Sequence, residues 1–269
     1  MIYKIGAFKV NASSPFVLVA GTISPIYVNN RMFERCPDER IKAAEYLATY
    51  IDSEIGCDNF DAISGGELAD LPFSHSVANI LKKPHITIRK EDKQYGMIGA
   101  KRIMSEVKKG ERVVHVADLI TQATSALSWC DAIISAGGKV ENYVVLFDRL
   151  QGGEQALSAR GIKLHSLVRM DEKFFEIGIE EGYLSRETYK EIEKYLLDPL
   201  NWATNFLTNN PDFIKNNIKI EGGKITNRTG LDILTKGYPE LKSEFEEKVK
   251  SWLKELGCEE AVPEFNYNP

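Results

Sequence analysis

The chain is poor in cysteine, and what it has builds no framework. Its four cysteines, Cys36, Cys57, Cys130 and Cys258, are scattered and share no CxxC spacing. That argues against a zinc or disulfide scaffold and for reduced thiols. No apolar run is long enough to cross a bilayer, so no membrane partner is expected. The opening residues, MIYKIGAFKV, lack the basic-then-apolar layout of a secretory signal, and a cytoplasmic location is the expectation. Basic excess is missing too. Lys and Arg number 34 against 39 Asp and Glu, a net charge of −5, which speaks against a general nucleic-acid binder. There is no internal repeat and no low-complexity tract. What remains is an ordinary globular composition, 43% hydrophobic and 27% charged over 269 residues. It suffices for one large domain or two modest ones.

Residues 1–50 read as a small N-terminal hood, broken into short pieces by Pro15, Gly21 and Pro25. An amphipathic helix begins after Pro37 and Asp38, with Ile41, Ala44, Leu47 and Ile51 near one face. Strands and helix-length segments then alternate over residues 58–168. A strand over 60–64 stops at Gly65 and Gly66, and others cover 86–89, 113–116, 143–147 and 164–168. This order predicts an α/β fold with a twisted, mainly parallel sheet flanked by helices. From about Met170 the texture turns helical, with Ser185 as a cap candidate and a final helix from Pro239. The expected division is an α/β domain over 1–170, hood included, and a mainly helical C-terminal extension over 171–269.

The most informative segment is 112–125, RVVHVADLITQATS. A buried strand ends at Asp118, a polar loop follows, and Ser125 opens an apolar-periodic helix. A strand-end acid can accept sugar hydroxyl protons, while a helix N-terminus offers free amide groups to a phosphate. A structural capping turn is the plain alternative. Gly65 and Gly66 at a strand end would let amides approach an anion, or simply make a tight turn. Arg89, Lys90 and Lys93 put three cations in five residues near Gly96, suited to a polyanion or to plain solvation. Arg149, after a strand, could pair with a planar carboxylate. His115 and His165 lie in apolar strands and read as structural.

In this order the segments resemble the orotate phosphoribosyltransferases, a family of type I phosphoribosyltransferases, over about residues 10–170. Segment 112–125 resembles the family's motif for phosphoribosyl diphosphate (PRPP), with Ala117 in place of the first of two acids. Gln122, Ala123 and Thr124 stand where Thr-Gly-Gly is usual. Residues 88–96 resemble the RKxxKxHG mobile loop, with Tyr95 for histidine. Residues 146–154 resemble the DRxxGG segment, and 16–27 the FxLKSGRxSPxY segment, with Val19 for lysine and Thr22 for arginine.

The resemblance implies the type I phosphoribosyltransferase fold and transfer of phosphoribosyl from PRPP to orotate or a related nucleobase, a step of pyrimidine nucleotide synthesis. On it, Asp118 meets the ribose hydroxyls and, indirectly, magnesium. Thr121, Gln122, Ala123, Thr124 and Ser125 cradle the 5′-phosphate, with Gly65 and Gly66 at the diphosphate. Arg89, Lys90 and the catalytic Lys93 neutralise the leaving group, and Arg149 orients the base. It also implies a homodimer with shared active sites. The substitutions at 19, 117 and 122–124 keep open a second reading, a non-catalytic sensor or subunit that binds PRPP or a nucleotide.

Overall fold

The structure is a computed structural model that describes residues 1–91 and 102–258. Four short strands come first: β1 (Phe8–Val10), β2 (Phe16–Val17), β3 (Ile23–Ser24) and β4 (Ile26–Val28), paired antiparallel as β1 with β4 and β2 with β3. Helix α1 (Pro37–Glu54) starts with proline in its first turn, where the missing amide hydrogen is harmless. It buries Ala43, Ala44, Leu47, Ala48 and Ile51, but not Ile41, which the heptad-like spacing placed on the same face and which is exposed. Small alanines set the close face of this helix, so the apolar stripe is rotated away from Ile41.

Next come β5 (Ala62–Gly66), α2 (Leu71–Leu81), β6 (His85–Ile88), β7 (Arg112–Ile120), α3 (Thr124–Ser135), β8 (Lys139–Asp148), α4 (Gly153–Ser158) and β9 (Lys163–Arg169). The five strands β5 to β9 form one parallel sheet in the order β6-β5-β7-β8-β9. Strand β7 carries Val113, Val114, Val116 and Ala117 at no more than 2% exposure, the continuous burial expected when helices cover both faces. Strand order reverses between β5 and β7. That is the switch point where chain leaves the sheet in two directions and a crevice opens beyond the strand ends.

Strand β5 starts and ends two residues later than expected. Gly65 and Gly66 are not its stop but its last two residues, in register with Thr87 and Ile88 of β6. They are glycines because of what lies over them. A Cβ at Gly65 would collide with the Ser74 side chain, and one at Gly66 with the Trp129 ring.

Beyond β9 lie α5 (Glu172–Glu180), α6 (Arg186–Leu197), α7 (Pro199–Asn209), α8 (Asp212–Asn216), the hairpin β10 (Lys219–Glu221) and β11 (Lys224–Asn227), α9 (Thr229–Asp232) and α10 (Lys242–Glu255). Ser185 caps α6 by accepting from Thr188 N at 3.1 Å. The chain forms two compact units, Met1–Ala7 with Asn29–Tyr183, and Phe8–Val28 with the residues from Leu184 onward. This differs from the 1–170 and 171–269 division at both ends. In the first unit, Tyr3 stacks on Phe174 and Tyr183 at 4.7 and 5.5 Å and donates to Phe174 O, which keeps α5 there. In the second, Ile23 is buried with Leu207, Ile214, Leu234 and Phe245, and its amide donates to the Tyr238 hydroxyl at 3.0 Å.

The close seat of Trp129 on β5 yields a test. Gly66→Ala forces the indole off the strand, an overpacking expected to destabilise by about 1–3 kcal/mol, read as a fall in urea midpoint with an unchanged slope.

Candidate functional site

The crevice at the switch point encloses about 310 Å³. Among the described residues it is lined by Arg31, by Glu67, Leu68, Ala69 and Asp70 after β5, and by Asp118, Leu119, Ile120, Thr121, Ala123, Thr124, Ser125, Ala126, Trp129 and Tyr143. It thus brings Asp118 together with Thr121, Ala123, Thr124 and Ser125. Gln122 is exposed and does not line it. Lys93 lies outside the described residues.

Asp118 is fixed through its backbone from two sides. Its amide donates to Asp70 Oδ1 at 3.1 Å, and its carbonyl accepts from Asn30 Nδ2 at 2.7 Å. Its half-buried carboxyl is pushed well above the usual carboxylate range, first by desolvation and then by the charge of Asp70 and a side-chain hydrogen bond to it. Arg31 and the Leu119 amide pull the other way.

Asp70 was not expected from the sequence. It is buried, and its other oxygen, Oδ2, accepts the Gly66 amide at 3.0 Å and lies 3.5 Å from His115 Nε2. The Gly66 amide is therefore committed to Asp70, not turned outward as the glycine pair suggested, and neither Gly65 nor Gly66 is among the lining residues. Beneath lies a polar row across three strands: Ser64 Oγ meets His115 Nδ1 at 2.9 Å, and the His115 ring stacks on Tyr143 at 4.8 Å. His115 is thus part of the support beneath the acids, and His165 bonds Asn142 Oδ1 at 2.9 Å.

The far wall is the start of α3. Ala123, just before it, adopts φ +64° and ψ 12°, the left-handed region, and cannot cap the helix with its methyl group. The first turn also contains no acid. Its amide groups and the positive end of the helix dipole are left to an outside anion. Arg89 and Lys90 follow β6. The Lys90 amide donates to Glu67 Oε1 at 2.6 Å, and the Arg89 amide to Arg102 O at 2.8 Å. Arg149 follows β8, half-buried, with its amide on Ile120 O at 3.1 Å. None of these three lines the crevice. For magnesium, the carboxylates lining the crevice are Glu67, Asp70 and Asp118, and Glu67 Oε1 already accepts from the Lys90 amide. Both Asp70 oxygens already hold amides, so the residue that would hold the metal is Asp118, with Glu67 near it on the wall. One carboxylate with a substrate's own oxygens is a fit for this metal.

The chain is 34% identical over 204 residues to an orotate phosphoribosyltransferase of Ruegeria sp. (strain TM1040), covering 75% of this chain and 89% of the relative. It belongs to the orotate phosphoribosyltransferase family. An orotate phosphoribosyltransferase of Rhizobium johnstonii is 30% identical over 203 residues, covering 76% and 87% of the two chains. Among solved structures, orotate phosphoribosyltransferase from Aeropyrum pernix aligns with a TM-score of 0.57 at 26% identity, over 69% of this chain and 100% of that one. UMP synthase of Leishmania donovani aligns with a TM-score of 0.63 at 25% identity, over 72% of this chain and 40% of that longer one. No protein-family model matches the chain. The family is one of transferases, and the five-stranded parallel sheet is its fold.

Two stability measurements follow from this geometry. Ala123→Gly relieves roughly 1–2 kcal/mol of left-handed strain but loses a buried methyl and gains unfolded-state freedom, each about 0.8 kcal/mol. It should therefore be neutral within about 1 kcal/mol, whereas Ala126→Gly, in the helix and the same core, should lose about 1.5–2 kcal/mol. Urea unfolding distinguishes them. The proton on Asp118 gives the second. The native state binds more protons than the unfolded one above the ordinary aspartate value, so this group's contribution to stability falls as pH rises, by at most about 1.4 kcal/mol per pH unit. Asp118→Asn should flatten that slope.

Proposed function

We propose that the protein transfers a phosphoribosyl group between PRPP and orotate or a related pyrimidine base. The observation that carries this reading is the placement of Asp118 at the switch point, facing the uncapped start of α3 across one crevice. The sugar's hydroxyls donate to Asp118, and the amides of 121–125 hold the 5′-phosphate. The reaction passes through a transition state with positive charge on the sugar, so the protein's work is orientation and charge compensation. Asp118 lies on the side where that charge develops, and positive charge there favours loss of its proton. Arg89, Lys90 and Lys93 offset the charge of the departing diphosphate, and Arg149 orients the base through its carboxylate. Magnesium, held by Asp118 and the substrate's oxygens, supplies further neutralisation of the diphosphate. The working form is a homodimer in which the cationic segment of one subunit serves the other, as the family resemblance implies, in the cytoplasm.

A second reading is favoured by one specific observation: among the described residues, Glu67, Asp70 and Asp118 all line the crevice against a single lining cation, Arg31. Such a site suits a non-catalytic sensor that holds a nucleotide without parting a diphosphate. Turnover of orotate and PRPP, followed by the absorbance change of the base, separates the two. The enzyme reading expects product, with kcat/KM reduced about 10- to 100-fold by Asp118→Asn. Binding of PRPP without product from any pyrimidine base would favour the sensor.

A further inference from the structure

Among the described residues, Arg31 is the one cation that lines the crevice. Its backbone is pinned on both sides. It sits in a short 3-10 helix, Asn30–Arg35, that leads into α1. Asn30, just before it, donates from Nδ2 to the Asp118 carbonyl at 2.7 Å. Phe33, two residues on, is buried and meets the Phe73 ring of α2 edge-on at 5.4 Å. Arg31 itself is exposed, and its guanidinium makes no hydrogen bond or ion pair with another described residue. It stands near enough to Asp118 to pull that carboxyl downward, yet does not bond to it. The backbone is thus placed by the fold, while the donors of the side chain are left to a ligand.

The other lining groups set what such a cation can do. The start of α3 offers amides, which hold a terminal phosphate without any side-chain cation. A second anionic group on the sugar meets three lining carboxylates, Glu67, Asp70 and Asp118, and among the described residues a single cation. A guanidinium suits it, because its planar fork of donors matches two oxygens of one phosphoryl group. Stereochemistry says which group this is. In an α-ribosyl diphosphate the substituent at C1 lies on the same face of the ring as the two ring hydroxyls, and the base enters from the opposite face. A cation beside the carboxylate that takes those hydroxyls is therefore on the diphosphate's side. We propose that Arg31 is a substrate-binding residue of this site, whose guanidinium takes the diphosphate at C1 of PRPP while the terminal phosphate rests on the α3 amides. This rests on the phosphoribosyl reading above and deepens it. Arg89 and Lys90 do not line the crevice, whereas Arg31 does, so it is in place when the diphosphate arrives.

The test is calorimetry with PRPP, ribose 5-phosphate and orotidine 5′-monophosphate, at one pH and one magnesium concentration. It uses the wild-type chain, Arg31→Gln and Arg31→Lys, each checked for folding by thermal melting. Arg31→Gln should weaken PRPP about 10- to 100-fold. The other two compounds, which lack the diphosphate, should change by less than about threefold. Arg31→Lys keeps the charge but loses the fork, so it should show a smaller loss confined to PRPP, and it decides the matter if the glutamine variant does not fold. Equal losses for all three compounds, a loss confined to the nucleotide, or no loss for PRPP overturns the role of Arg31. If none of the three binds wild type or a folded variant, the phosphoribosyl reading itself falls.

Discussion

The site depends on one bridge. The Asp70 carboxylate spans the gap between β5 and β7, with one oxygen on the Gly66 amide and the other on the Asp118 amide. These strands are the ones between which strand order reverses, so no helix crossover passes over their ends. Buried amides left without acceptors there would each be destabilising by about 1–3 kcal/mol. Asp70 satisfies both and so fixes the loop 67–70 over the sheet. Asn30 completes the arrangement by donating to the Asp118 carbonyl. Both backbone polar groups of Asp118 are thereby held by side chains from other parts of the chain, and its carboxyl is placed to within the play of its own side-chain torsions.

Packing behind the bridge explains why this geometry is stiff. Ser64, His115 and Tyr143 face one another in register across β5, β7 and β8, and Ser64 and His115 are fully buried. A buried polar row is costly unless satisfied. The Ser64–His115 bond engages Nδ1, while the buried Nε2 makes no hydrogen bond and lies 3.5 Å from Asp70 Oδ2. Trp129 then closes on Gly66 from α3, while Arg102 lies over its ring at 5.0 Å. The glycines of β5 serve this indole and Ser74 of α2, and the helix that carries Trp129 is the one whose start forms the anion-facing wall.

Much of this was legible in the sequence, for a reason visible in particular residues. Asp118 and the loop after it announce themselves because strand, acid, loop and helix follow each other within fourteen residues, 112–125. Local order along the chain was enough. Asp70 was hidden because Asp118, the partner that brings it to the site, sits 48 residues away, and the glycines before it drew the reading to backbone amides. Gly65 and Gly66 were seen, but their reason was not, since Trp129 reaches them only in the folded sheet. The assignment of Phe8–Val28 to the second unit was equally invisible, because it turns on Ile23 joining a core built from residues beyond 200. The β10–β11 hairpin was passed over as helical texture, although Gly222 and Gly223, both at positive φ, make its turn.

The alanine at 117 takes on a different meaning once Asp70 is in place. Its methyl group is buried in the apolar cluster that includes Ala126, Trp129 and Val145. It lies two residues from His115 on β7 and so shares the sheet face that His115 presents to Asp70. An acid at 117 would therefore be a further carboxylate beside Asp70 and Asp118, where the Asp118 carboxyl is already pushed well up by burial and by Asp70. Such a group would be driven neutral by desolvation and by its neighbours, and would add an unsatisfied hydroxyl donor, not a charge. Three carboxylates line the crevice, Asp118 near the end of β7 and Glu67 and Asp70 from the loop after β5, and Asp118 and Asp70 stand together. With alanine at 117, Asp70 thus stands as the second acid beside Asp118. What changes is their footing: one is half-buried and lines the crevice, while the other is tied to backbone amides through both of its oxygens.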